Sequence, residues 1–114
     1  MSGDGQKDAR AGIEALRIRI DDLDARLVEL LSERAQCALE IGELKRALRE
    51  AIYQPARERD VLAHVCAVNR GPLDDDAMRR LFERIIDEAR RLERAEAGTK
   101  RAGSNESLPG CRER

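Results

Sequence analysis

Aromatic side chains are almost missing from this chain: Tyr53 and Phe82 are the only two among 114 residues, and tryptophan is absent. A stacking platform for nucleic-acid bases is therefore excluded, and any core must be aliphatic. Cysteine is scarce and unpaired in spacing. Cys37, Cys66 and Cys111 form no CxxC step, so neither a disulfide framework nor a zinc site is written here. Cys37 and Cys66 read as small buried apolar residues, and Cys111 as a tail thiol. The lone histidine, His64, has no ligand set around it and reads as a packing or surface residue, so no metal is expected. Charge of one sign is not in excess either, with 22 Lys and Arg against 23 Asp and Glu. That balance argues against a nucleic-acid partner and makes any cationic site a local one. No apolar run approaches a membrane span, and the N-terminus carries no apolar leader, so the expectation is a cytoplasmic protein without a membrane partner. What is present, 39% charged and 41% hydrophobic residues, suits one soluble globular domain.

Proline and glycine are placed so as to divide the chain into helices. Residues 1–10 are polar and contain glycine, and read as a flexible lead-in. From Ile13 the apolar residues recur in steps of three and four: Leu16, Ile20, Leu23, Leu27, Leu30, Cys37, Ile41, Leu44 and Leu48. This is one stripe of a long amphipathic helix, interrupted by no proline and weakened only at Gly42. A helix over 13–48 would be roughly 54 Å long, beyond the width of so small a domain. A second chain must cover the stripe, so an intertwined homodimer is expected. Pro55 suits the first turn of a second helix, which carries Val61, Leu62, Val65 and Val68 and stops at Asn69-Arg70-Gly71-Pro72. Asp74 can cap a third helix, with Asp75 and Asp76 in its first turn and Leu73 stapled to Met78. Its apolar face runs through Leu81, Phe82, Ile85, Ile86, Ala89 and Leu92. The polar, aperiodic segment 98–114 reads as a disordered tail. The fold class is all-α, with three helices, the first very long, in a domain over 11–97.

One residue breaks the stripe. Position 34 should be apolar by the rhythm set by Leu30 and Cys37, and it is Arg34. A guanidinium in a packing stripe is costly unless neutralised. It can pair with an acidic residue of a neighbouring helix, snorkel to the rim, or bind an anion. Lys45 lies eleven residues on, within roughly 20° of the same direction and about 16 Å along the axis. Two cations so placed can grip the ends of a small dianion. Arg17 is roughly 25 Å from Arg34 and points about 100° away, so it can serve such a ligand only from a second, antiparallel chain. Arg57 and Glu58 follow Pro55, and Glu93 ends the third apolar face. Each of these charges could equally be a solvated surface group, with Glu93 a partner for Arg90 or Arg94.

These segments resemble the all-α class of chorismate mutases, including the mutase domain fused to prephenate dehydratase in bifunctional bacterial enzymes. The resemblance covers about 13–95 and is carried by LRIRIDDLDARLVELLSERAQCALEIGELK at 16–45, YQPARERDVL at 53–62, NRGPLDDDAMRRLFERII at 69–86 and RRLE at 90–93. It implies a homodimer with two equivalent sites and no cofactor, converting chorismate to prephenate on the way to phenylalanine and tyrosine. Arg17 from the partner chain would bind one substrate carboxylate and Arg34 the other, while Lys45 would reach the ether oxygen and a carboxylate. Arg57 would be a pocket or supporting arginine, and Glu58 would accept the substrate hydroxyl. Gln54 falls where relatives often carry a charged residue near that hydroxyl, and Ala89 where some carry serine. Glu93 falls where relatives place Gln or Glu against the ether oxygen.

The residues present suit that chemistry. A pericyclic rearrangement needs no nucleophile, metal or proton shuttle. It needs a flexible dianion held in its compact conformer and charge stabilised on the breaking ether oxygen. Planar arginine forks suit the carboxylates and Lys45 the oxygen. An ionised Glu93 would repel that oxygen, so it must be protonated to help. Rival readings are an isochorismate-pyruvate lyase or aminodeoxychorismate mutase on the same scaffold, and a non-catalytic helical dimer.

Overall fold

The computed structural model describes residues 2–101. Among them are three helices and no strand: α1 (Ser2–Leu48), α2 (Pro55–Val68) and α3 (Asp75–Arg101). The helix α1 includes residues 2–10, which the sequence sets apart as a lead-in. Nothing there breaks a helix: no proline occurs, and Asp4 in the first turn complements the helix dipole. At the other end α3 continues through Arg101, into the segment read as tail, while 102–114 and with them Cys111 lie outside the described residues.

The helix ends follow local chemistry closely. Arg49 adopts a left-handed conformation (φ 61°) just past α1. Its N–H donates to the Arg46 carbonyl at 3.1 Å, and the Glu50 N–H donates to the Lys45 carbonyl at 2.8 Å. This pair of bonds is a Schellman termination, built here without the usual glycine. Pro55 occupies the first turn of α2 as expected, and Asn69 ends that helix. The Asn69 amide donates to the Leu73 carbonyl at 2.8 Å and to Asp75 Oδ1 at 3.0 Å, tying the end of α2 to the start of α3. Gly71, at φ 77°, makes the turn between them. Asp74 caps α3 by accepting the Ala77 N–H on Oδ1 at 2.8 Å.

The chain divides after Gln36 into two compact units. The first is α1 up to that point, and its apolar residues stand in water: Ile13, Leu16, Ile20, Leu23, Leu27 and Leu30 are all exposed, Leu16 by 61%. In the second unit α2 packs against α3. Ala38, Val65, Ile86 and Ala97 are its buried apolar residues, and among the described residues no large side chain is fully buried. Cys37, expected to be buried, is exposed in the single chain, and Ile41, Leu44 and Leu48, which the sequence assigns to a stripe covered by a second chain, are exposed with it. The positions that α1 does bury are Ala38 and Gly42, one turn apart. Small residues permit close approach at the cost of little apolar area, and the large side chains of the stripe are exposed in the single chain.

Candidate active site

The second unit gathers six of the eight residues singled out by the sequence, on the end of α1, the 49–54 connection, the first turn of α2 and the second half of α3. Lys45, half-buried near the end of α1, donates from Nζ to the Ile52 carbonyl at 3.1 Å. That bond fixes the ammonium against the connection instead of leaving it to swing in solvent. Gln54 immediately precedes α2 and gives its helix no side-chain cap. Its amide reaches Glu50 Oε1 only at 3.5 Å, a weak contact that leaves the side chain free to turn.

Glu93 carries a buried carboxyl. It is 6% exposed and is the one buried polar or charged residue among those described. Its side chain rests against Gly42: a Cβ added at that glycine would lie 3.4 Å from Glu93 Cγ and 3.7 Å from Cδ. Burial pushes the Glu93 carboxyl above the usual carboxylate range, while Lys45, Arg46 and Arg94 pull it back. Glu93 is thus no surface partner of Arg90, and Lys45 stands within electrostatic reach of it.

Arg90 is engaged elsewhere. Its Nε lies 3.0 Å from Glu58 Oε2, its Nη2 donates to Asp87 Oδ1 at 2.6 Å, and its guanidinium lies over the Tyr53 ring, 4.9 Å from the centroid. Nε is shut off from solvent, yet its N–H has no well-directed acceptor, so the Glu58 contact is ionic more than a formed hydrogen bond. Sequence reading gave Arg90 no role here; its signal, an arginine three residues after Asp87, is common on any helix. Arg57 is exposed on α2, and Ala89 is half-buried on α3, one residue before Arg90.

The other two arginines belong to the first unit. Arg34 is half-buried, and among the described residues no carboxylate pairs with it. Arg17 is exposed on α1, four residues from Ile13, where a shallow depression runs past Arg10 and Glu14. Among the described residues no three His, Cys, Asp or Glu side chains converge as a metal site. No described helix is long and apolar enough to cross a membrane.

The described residues thus define an all-α protein in which a buried carboxyl, Glu93, lies under the influence of Lys45, Arg46 and Arg94. Residues 16–94 match the chorismate mutase type II family. The chain belongs to that family, one of isomerases. Over 86 residues it is 46% identical to the bifunctional chorismate mutase/prephenate dehydratase of Stutzerimonas stutzeri, covering 71% of this chain and 24% of that protein. It therefore spans about a quarter of the length of such curated relatives. It is also 37% identical over 83 residues to the 4-amino-4-deoxychorismate mutase of Streptomyces pristinaespiralis, covering 71% of this chain and 64% of the relative. Among solved structures, a chorismate mutase from Thermus thermophilus superposes with a TM-score of 0.71 at 39% identity, covering 72% of this chain and 93% of the other.

Proposed function

We propose that this chain, through a mutase domain over 11–97, catalyses the rearrangement of chorismate to prephenate. The observation that carries the reading is the buried Glu93 carboxyl, raised by burial and within reach of Lys45, in a chain whose residues 16–94 match the family. The reaction breaks one C–O bond and forms one C–C bond within a single molecule, so the protein's task is positional and electrostatic. Lys45 stabilises the negative charge that grows on the ether oxygen. Glu93, in its protonated form, donates a second hydrogen bond to the same oxygen. Arg34 holds one carboxylate in a two-pronged grip, which fixes the compact conformer. Glu58 and Gln54 meet the hydroxyl end, with Arg57 and Ala89 bordering the pocket.

The active form in this reading is a homodimer in which Arg17 of the partner chain binds the second carboxylate. Support comes from the apolar stripe of α1, whose Ile13, Leu16, Ile20, Leu23, Leu27 and Leu30 are exposed in the single chain. Burying such side chains is worth about 1.5–3 kcal/mol each, so a stripe of six strongly favours association. The test is chorismate consumption by the wild type and Arg34→Ala, with circular dichroism and sedimentation as controls for fold and assembly. The expected result is a loss of about 100-fold or more in turnover with helicity and mass unchanged. Equal turnover by the two proteins, or none by the wild type, would overturn the reading; the latter would favour a non-catalytic helical dimer.

A further inference from the structure

The Arg90 cluster has no part in holding the carboxylates or the ether oxygen, yet it is more constrained than a surface ion pair. Arg90 and Glu58 are only 24% and 23% exposed, and they join α3 to α2. The guanidinium is held from three sides: by Asp87 one turn back on its own helix, by the Tyr53 ring, and by Glu58. A planar cation fixed in this way keeps its place when Glu58 is engaged by something else. Because the Nε–H has no well-directed acceptor, Arg90 supplies Glu58 with positive charge while taking up at most one lone-pair direction of its carboxylate. A carboxylate has about four such directions, so several remain for a ligand.

The consequence is a preference between two kinds of donor. A hydroxyl is neutral and gains mainly a hydrogen bond, which a charge-neutralised carboxylate still accepts. An ammonium gains mainly Coulombic attraction, and a guanidinium 3.0 Å from the same carboxylate cancels that gain and adds like-charge repulsion. Gln54, the neutral neighbour at the start of α2, adds no compensating negative charge. We propose that Arg90 is a positioning residue that sets substrate preference, holding Glu58 as a neutralised acceptor so that the site takes a ring bearing a hydroxyl over one bearing an ammonium. The assignment rests on the reading of Glu58 as the acceptor of the substrate hydroxyl.

The test is the ratio of kcat/KM for chorismate to kcat/KM for 4-amino-4-deoxychorismate, measured on the full chain. Arg90→Met removes the charge at similar length, and the ratio falls about tenfold or more, because the freed Glu58 carboxylate now attracts the ammonium. Arg90→Lys, which keeps the charge, restores most of the ratio. Glu58→Gln leaves Arg90 without its counter-charge, and the ratio rises. That conservative variant keeps the test open if Arg90→Met does not fold. A merely structural role for Arg90 would lower both substrates together, and an unchanged ratio in Arg90→Met and Glu58→Gln would overturn the proposal. A wild type that converts neither substrate would instead refute the functional reading and this assignment with it. The two failures are thus told apart by the wild type.

Discussion

Gly42 offers the sharpest test of how the fold sets the site. It is buried in α1 with the Glu93 side chain directly across from it. Glycine in a helix interior costs about 1 kcal/mol relative to alanine, so a substitution that fits should stabilise the chain. The added Cβ of Gly42→Ala would meet Glu93 Cγ at 3.4 Å and Cβ and Cδ at 3.7 Å, which are ordinary van der Waals distances. Alanine therefore fits, and its buried methyl adds up to about 0.8 kcal/mol. Allowing for imperfect packing, the net gain is about 1 kcal/mol, or roughly 4–8 °C in Tm for a domain of this size. Leucine does not fit. Its Cγ extends about 1.5 Å beyond Cβ, into space that Glu93 occupies, so the carboxyl must shift by about an ångström or Leu must leave its rotamer. Overpacking of this kind costs about 1–3 kcal/mol, and an ångström of misplacement at a reacting centre costs about 100-fold in rate. Thermal melts at one fixed protein concentration, with chorismate turnover on the same samples, read both effects. Gly42→Ala is expected to melt higher with turnover near that of the wild type, and Gly42→Leu to lose turnover by about 100-fold. A Gly42→Ala chain that melts lower, or a Gly42→Leu chain with wild-type turnover, would refute the reasoning.

Glu93→Gln tests protonation: the burial-raised carboxyl donates only when protonated, so wild-type turnover should fall as pH rises through its pKa, and the glutamine variant should flatten that fall. In melts, a pKa higher in the folded than in the unfolded state favours the fold at low pH; this contribution is lost as pH rises from the ordinary carboxylate value through the folded one, so Glu93→Gln should gain on the wild type above that window and match it below. Arg49→Gly relieves a left-handed arginine at the Schellman turn, worth about 1–2 kcal/mol, against about 0.4–1 kcal/mol of added unfolded-state freedom; denaturant melts should show a net gain of up to about 1.6 kcal/mol. Asp74→Ala removes the α3 cap and should cost about 1 kcal/mol in the same melts without altering turnover.

Legibility followed range. Pro55, Asn69, Gly71 and Asp74 act through bonds to residues a few positions away, so both ends of α2 and the start of α3 could be read from the sequence to within a residue. The α1 start could not, because residues 2–10 lack apolar rhythm and include Gly3 and Gly5, yet hold no proline that would forbid a helix. The Schellman turn was equally hidden, since Arg49 in a left-handed conformation has no sequence signal where glycine would have given one. The stripe on α1 was legible as a pattern, but Ala38 and Gly42, the positions of α1 buried within the single chain, were not, because they carry little apolar weight. Small residues carry almost no hydrophobic signal, although they are what allows Glu93 to lie against α1.

The charged residues show the same limit from the other side. Among 22 basic and 23 acidic residues, the pattern singled out Arg34 as an interruption of an apolar face, Glu93 as the end of one, and Lys45 by its spacing from Arg34. That criterion finds a charge that is out of place on its own helix. It misses Arg90, which sits on α3 beside Asp87 like any surface arginine and becomes distinctive only when α2 brings Glu58 and the connection brings Tyr53. A charge such as Arg34 breaks the local pattern because its position belongs to an apolar stripe. A residue that acts through another side chain need break no pattern, and it becomes visible only in the packed fold.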